Sequence, residues 1–159
     1  MEESKSQVVL LVDDEEMVVT SIKSFLTLET DYEVVAFTSP KEALGFVKDN
    51  RVDLVISDYL MPDIDGIQFL AEIKETQPEA TRVLLTGYAD KENAIKAIND
   101  VGLYQYIEKP WENEDLKLII RNGLEKRILL QKLEDKIDEV NKAHSELLNV
   151  QKEILKAFA

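Results

Sequence analysis

The chain has no cysteine, which excludes a disulfide framework and any thiolate-ligated metal. Basic residues are scarce: 19 Lys and Arg stand against 32 Asp and Glu in 159 residues, a net charge of −13. A nucleic-acid-binding face is therefore not expected. The deficit is uneven, with 12 basic and 26 acidic residues in 1–125 but 7 and 6 in 126–159. No apolar run approaches the roughly 20 residues that span a bilayer, so no membrane segment is expected. The start, MEESKSQ, lacks the basic-then-apolar pattern of a secretory signal. These absences lead to the expectation of a soluble cytoplasmic protein. Proline is missing after Pro110, and Gly123 is the only later glycine, so nothing there forces a helix to break.

Five short apolar runs are present, at 8–12, 34–37, 52–57, 82–86 and 104–107. They are rich in Val, Ile and Leu and do not alternate with polar residues, which suits strands of a parallel sheet covered on both faces. Helical stripes separate them. Val18, Ile22, Phe25 and Leu26 share a face in 17–28, and Ala43, Leu44 and Val47 do so in 40–49, after Ser39 as N-cap and Pro40 in the first turn. Ile67, Leu70, Ala71 and Ile73 follow Asp65; Ala94, Ile95, Ala97, Ile98 and Val101 follow Asp90. The βα unit repeated five times predicts an α/β fold, a doubly wound five-stranded parallel sheet.

The fifth helix, starting near Glu112, has no stop. Positions 130, 133, 137, 140, 144, 147, 151, 154 and 158 hold Leu, Leu, Ile, Val, His, Leu, Gln, Ile and Phe. Steps of three and four define a heptad seam, which predicts a parallel coiled-coil homodimer through 130–158. Leu148, Val150, Leu155 and Ala157 widen the apolar face near the end, as in a four-helix bundle or a helix running into a further domain. The predicted division is 7–125 for the globular domain and 126–159 for the dimerisation helix.

In an open parallel sheet, ligands bind beyond the carboxyl ends of the strands where the winding reverses. Asp13 and Asp14 follow the first predicted strand, Asp58 the third, Thr86 ends the fourth and Lys109 follows the fifth. Three clustered carboxylates repel one another, and a hard divalent cation such as Mg²⁺ answers that repulsion with oxygen ligands. A cation, an ammonium and a hydroxyl around one carboxylate describe a phosphoryl site in which Asp58 is the nucleophile.

VDDE at 12–15, SDYLMPDIDG at 57–66, LTGYAD at 85–90 and YIEKPW at 106–111 resemble the motifs of response-regulator receiver domains of two-component signalling, CheY-like in character. The resemblance covers about residues 7–125. It implies a flavodoxin-like (βα)5 fold and phosphorylation of Asp58 by a partner histidine kinase or phosphotransfer protein. It further implies Asp13 and Asp14 as the metal-binding acids, Asp14, Asp58 and the Leu60 backbone carbonyl being direct ligands. Lys109 would contact the acyl phosphate, Thr86 would swing to bond it, and Tyr106 would be the switch aromatic. The Lys109–Pro110 peptide would be cis. Leu60 and Tyr88 occupy positions that the family varies to set phosphate lifetime, and their bulk implies slow self-dephosphorylation. The TGYAD and KPW pair looks like receivers preceding cyclic-dinucleotide enzymes or kinase modules.

Other polar groups read as structural. His144 and Gln151 are seam residues that set register; the acid directly after His and the Arg-x-Pro of a kinase phosphoacceptor are missing. Trp111 packs at a helix start, Pro62, Asp63 and Gly66 serve a turn, and Asp65 caps a helix. Two other functions fit the residues less well. A phosphohydrolase with an Asp nucleophile and Mg²⁺ needs a D-x-D motif after strand one, which Asp13-Asp14-Glu15 does not match. A dimerisation or adaptor module with a vestigial receiver is opposed by the intact set of five residues.

Overall fold

A computed structural model describes residues 6–87 and 90–158. Strands β1 (Val8–Val12), β2 (Glu33–Phe37), β3 (Leu54–Asp58), β4 (Thr81–Thr86) and β5 (Gln105–Glu108) alternate with helices α1 (Glu16–Glu29), α2 (Pro40–Asp49), α3 (Gly66–Thr76), α4 (Lys91–Asp100) and α5 (Asn113–Ala157). The sheet is parallel, in the order β2-β1-β3-β4-β5. The winding reverses between β1 and β3, as in the doubly wound, flavodoxin-like fold that the sequence predicts.

Alternate strand residues serve two cores. Leu10, Val12, Val55 and Leu84 pack with α2, α3 and α4, whereas Val9, Leu11, Leu54, Ile56, Val83 and Leu85 pack with α1 and the start of α5. Both sets are buried, so the strands read as unbroken apolar runs in the sequence. Caps fall where expected: Ser39 accepts from the Glu42 amide at 3.3 Å and Asp65 from the Gln68 amide at 2.8 Å.

Several details differ from the sequence reading. In α1 the buried stripe is Val19, Ile22 and Leu26, with Val18 and Phe25 at its flank. Phe69 joins Leu70 and Ile73 in the α3 core. In α4, Ala94 is buried but Ile95 and Ile98 face outward, 48% and 37% exposed. β3 starts two residues later than expected, because Asp53 is drawn into polar contacts. Its carboxylate accepts from the Val8 amide at 2.8 Å and faces Arg51 and Arg127. Arg82, read only as the start of a strand, is buried. Its guanidinium donates to the carbonyls of Val101, Pro78, Ala80 and Gly102, joining β4 to the end of α4.

The chain divides into two compact units at Arg127. In the first, α5 approaches the sheet closely at Gly123, where a Cβ would lie 2.9 Å from Leu54 Cδ1, and Thr81 Oγ1 donates to the Gly123 carbonyl at 2.9 Å. The second is helical from Ile128 to Ala157, and its described side chains are exposed apart from the half-buried Gln131. Among the described residues no helix is long and apolar enough to cross a membrane.

Arg127 is 5% exposed, with Nε 3.0 Å from Asp53 Oδ1 but not aligned as a full hydrogen bond. Removing one member of a buried ion pair strands the other charge. Arg127→Ala is expected to lower the stability of the folded chain by roughly 3 kcal/mol in urea unfolding. Lys117→Ala, which removes a solvent-screened partner of Glu29, is expected to change it by less than about 1 kcal/mol.

Candidate phosphoryl site at the sheet edge

The site is built by strand register. Val12 pairs with Ser57, so the next residues, Asp13 just past β1 and Asp58 at the end of β3, stand level with each other. Asp58 pairs with Leu85, and the Tyr59 amide continues that ladder by donating to the Leu85 carbonyl at 2.9 Å. Thr86 pairs with Glu108, and the Lys109 amide donates to the Thr86 carbonyl at 2.9 Å, which fixes the lysine backbone one strand away.

The side chains converge. Lys109 Nζ lies 3.0 Å from Asp13 Oδ2 and 3.0 Å from Asp58 Oδ1. Asp13 and Asp58 are buried and Asp14 is exposed, and one carboxylate oxygen from each lies within 4.8 Å of the others. Asp13 Oδ1 also accepts from the Glu15 amide at 2.9 Å. Thr86 is fully buried, its hydroxyl donating to the Gly87 carbonyl at 3.1 Å. Tyr106 is half-buried against the α2–α3–α4 core, and Leu60 is 60% exposed. Tyr88 lies outside the described residues. The Lys109–Pro110 peptide is cis.

The segment after Asp58 sorts its own acids. Asp63, at φ 74°, is the centre of a tight turn closed by the Ile64 amide on the Pro62 carbonyl at 2.9 Å. Asp65 is the α3 cap. Gly66 has a role that the sequence reading did not find. Its amide donates to the Tyr59 carbonyl at 2.7 Å, and a Cβ there would collide with the backbone carbonyl of Asp58. A side chain at 66 would thus push α3 off the strand that carries Asp58. The only sequence signal for this was a glycine directly after a capping Asp.

Electrostatics follow from crowding. Burial raises the Asp13 pKa to about 6; the Glu15 amide and Lys109 oppose the rise, and the Asp58 charge adds to it. Asp58 is raised chiefly by burial, against Lys109 and the Tyr59 amide, with Asp14 adding to the rise. For Lys109, burial depresses the ammonium, but hydrogen bonds to Asp58 and Asp13 and their charges outweigh it and raise its pKa. Among the described residues, three carboxylates against one ammonium leave an excess of negative charge. Three hard oxygen donors within 4.8 Å fit a small divalent cation such as Mg²⁺, which takes few protein carboxylates and keeps waters.

An acid whose pKa rises on folding binds its proton more tightly in the folded state, so its contribution is whole below the unfolded pKa and is lost as pH rises through the folded one. For Asp13 that window runs from 3.8 to about 6, and the loss is roughly 3 kcal/mol. Without divalent cations, Asp13→Asn is accordingly expected to be more stable than wild type at pH 7.5, with the difference vanishing near pH 4. Urea unfolding in EDTA at both pH values checks this; a variant less stable at pH 7.5 would contradict it.

Comparison with known proteins bears on the same residues. The family model described as response regulator receiver domain matches residues 9–121. The chain is 35% identical over 121 residues to the hydrogenase transcriptional regulatory protein HoxA of Cupriavidus necator, covering 76% of this chain and 25% of that one. It thus spans about a quarter of the length of the HoxA proteins that it matches. Among solved structures it is similar to the signal receiver domain of an HD domain-containing protein from Pseudomonas fluorescens Pf-5, with TM-score 0.77, 32% identity, and coverage of 83% of this chain and 96% of that one. It is also similar to the beryllofluoride-activated NtrC4 receiver domain dimer, with TM-score 0.70, 33% identity, and coverage of 76% and 98%. The chain belongs to the response-regulator receiver family of two-component signalling.

Proposed function

We propose that the first unit is a phosphorylation-gated switch in which Asp58 accepts a phosphoryl group from a histidine kinase or phosphotransfer protein. The observation that carries this reading is the single ammonium of Lys109 held 3.0 Å from both Asp13 and Asp58 at the open end of the sheet. An Asp58 carboxylate oxygen forms a bond to phosphorus while the bond from phosphorus to the donor's imidazole nitrogen breaks, the electron pair leaving on nitrogen. Lys109, 3.0 Å from Asp58 Oδ1, would contact the phosphoryl oxygens and balance their charge. Asp14, Asp58 and the Leu60 carbonyl, with Asp13 beside them, would hold Mg²⁺, which supplies further charge neutralisation on the transferring group.

Readout follows from the same strand ends. The Thr86 hydroxyl, now on the Gly87 carbonyl, turns to the new phosphoryl oxygens, and Tyr106 moves inward behind it. The face formed by α4, β5 and α5 then changes shape. It carries exposed Ile95, Ile98 and Leu118, apolar groups whose arrangement a partner surface reads. Residues 7–125 act as a regulatory receiver rather than an enzyme with a diffusible substrate. Residues 126–159 form the dimerisation helix, pairing in parallel through 130–158. The NtrC4 receiver, which is similar to this chain, is a dimer in its beryllofluoride-activated state, and this supports pairing as the readout. The setting is cytoplasmic, and the output is a partner or attached domain such as a cyclic-dinucleotide enzyme or kinase module.

Incubation with Mg²⁺ and acetyl phosphate followed by intact-mass measurement tests this reading. One labile phosphoryl adduct is expected on wild type and none on Asp58→Asn. Equal modification of wild type and Asp58→Asn, or steady turnover of small phosphomonoesters, would overturn it.

A further inference from the structure

The second unit carries more apolar surface than a two-stranded coil can cover. With Leu130 at heptad position a, the a and d positions form the seam already described, running from Leu130 to Phe158. What changes along the helix is its flanks. Up to residue 141 the flanking e and g positions after Leu129 hold Glu134, Lys136 and Asn141, charged or polar residues at the rim of a narrow seam. From residue 143 every e and g position is apolar: Ala143, Leu148, Val150, Leu155 and Ala157. The remaining positions, b, c and f, are all polar over the same stretch, from Ser145 to Lys156.

The apolar face thus widens from about two positions in seven to four. A two-position stripe is the width of a coiled-coil seam, whereas a wider face belongs to helices in the core of a bundle. In a dimer joined only at a and d, Leu148, Val150 and Leu155 would stay at the rim. They are 44%, 53% and 70% exposed on the single helix.

We propose that residues 143–158 of two such dimers pack against each other, tail to tail, as an antiparallel four-helix bundle. The occupant of the wide face is thus a second pair of copies of this chain. This inference rests on the parallel dimer proposed above. Two features select a copy of the chain itself. The face is self-complementary, with one heptad frame keeping all four apolar positions in step. The tail is also nearly neutral, with 7 basic and 6 acidic residues in 126–159, so like charge does not oppose its association. Charge also selects the antiparallel sense. Residues 1–125 carry 12 basic and 26 acidic side chains, and an antiparallel arrangement keeps those of the two dimers at opposite ends. His144 and Gln151, at consecutive a positions, give the bundle polar layers that fix its register.

Sedimentation equilibrium on the full chain tests the stoichiometry. Wild type is expected to approach four times 18.2 kDa as concentration rises. The double variant Leu148→Lys, Leu155→Lys leaves a and d intact and is expected to stop at two chains. The double variant Leu133→Asp, Val140→Asp is expected to fall to one. A wild type that stays at two chains at every concentration would overturn the bundle and leave the dimer standing, whereas one that stays monomeric would overturn both. Because the chain has no cysteine, orientation is read by mixing Ala143→Cys with Ala157→Cys copies and oxidising them. Disulfides between the two different variants are expected; only same-site disulfides would overturn the antiparallel arrangement.

Discussion

One ammonium group answers for two buried carboxylates. The parallel register of β1 and β3 sets Asp13 and Asp58 side by side, on neighbouring strands whose spacing is about 4.8 Å. Both are screened from water, so neither sheds its repulsion cheaply. Lys109 supplies the charge from β5, two places along the sheet from β3, and its stem must cross the end of β4. β4 ends at Thr86 and is followed by Gly87, both small residues, and the Lys109 amide is fixed to the Thr86 carbonyl. The close approach of Gly66 serves the same end by letting α3 hold the Asp58 backbone in place. Sheet order, register and loop size all converge on where one nitrogen stands.

The compensation is incomplete, and the incompleteness is what makes the site responsive. A fully neutralised cluster would gain little from an incoming cation or phosphoryl group. Among the described residues three acids face one lysine, so surplus charge would draw in a divalent ion, and a dianionic phosphoryl group would bring demand for the cations gathered there. Thr86 sits buried beside this balance with its hydroxyl on a neighbouring carbonyl, an arrangement that a better acceptor can replace.

Much of this was legible in the sequence, for a physical reason. Strands buried on both faces must be continuously apolar, so the five runs and the polar residues at their ends stand out from their surroundings. The residues that were missed act through backbone proximity or through the face that they turn. Gly66 differs from any turn glycine only in what its missing Cβ would strike. Ile95 and Ile98 have the helical spacing of core residues, but the core behind α4 is filled by Ala94, Val101 and Leu103, so they turn outward. Arg82 gave no sign of burial because its partners are four carbonyls, which have no sequence signature. In α1, Ile22 and Leu26 are buried as expected and only the first position differs: Val18 and Val19 are both apolar, and the helix's rotation puts Val19 inside and Val18 at the flank.

The central claim is that the ammonium-bridged pair selects one carboxylate, Asp58, as the phosphoryl acceptor. Its most direct test is to load the full chain from a phosphohistidine donor, reduce the acyl phosphate with borohydride, and locate the resulting homoserine by peptide sequencing. The account predicts homoserine at position 58 alone. Homoserine at 13 or 14, or acid-labile phosphate recovered on His144 with none at 58, would contradict it.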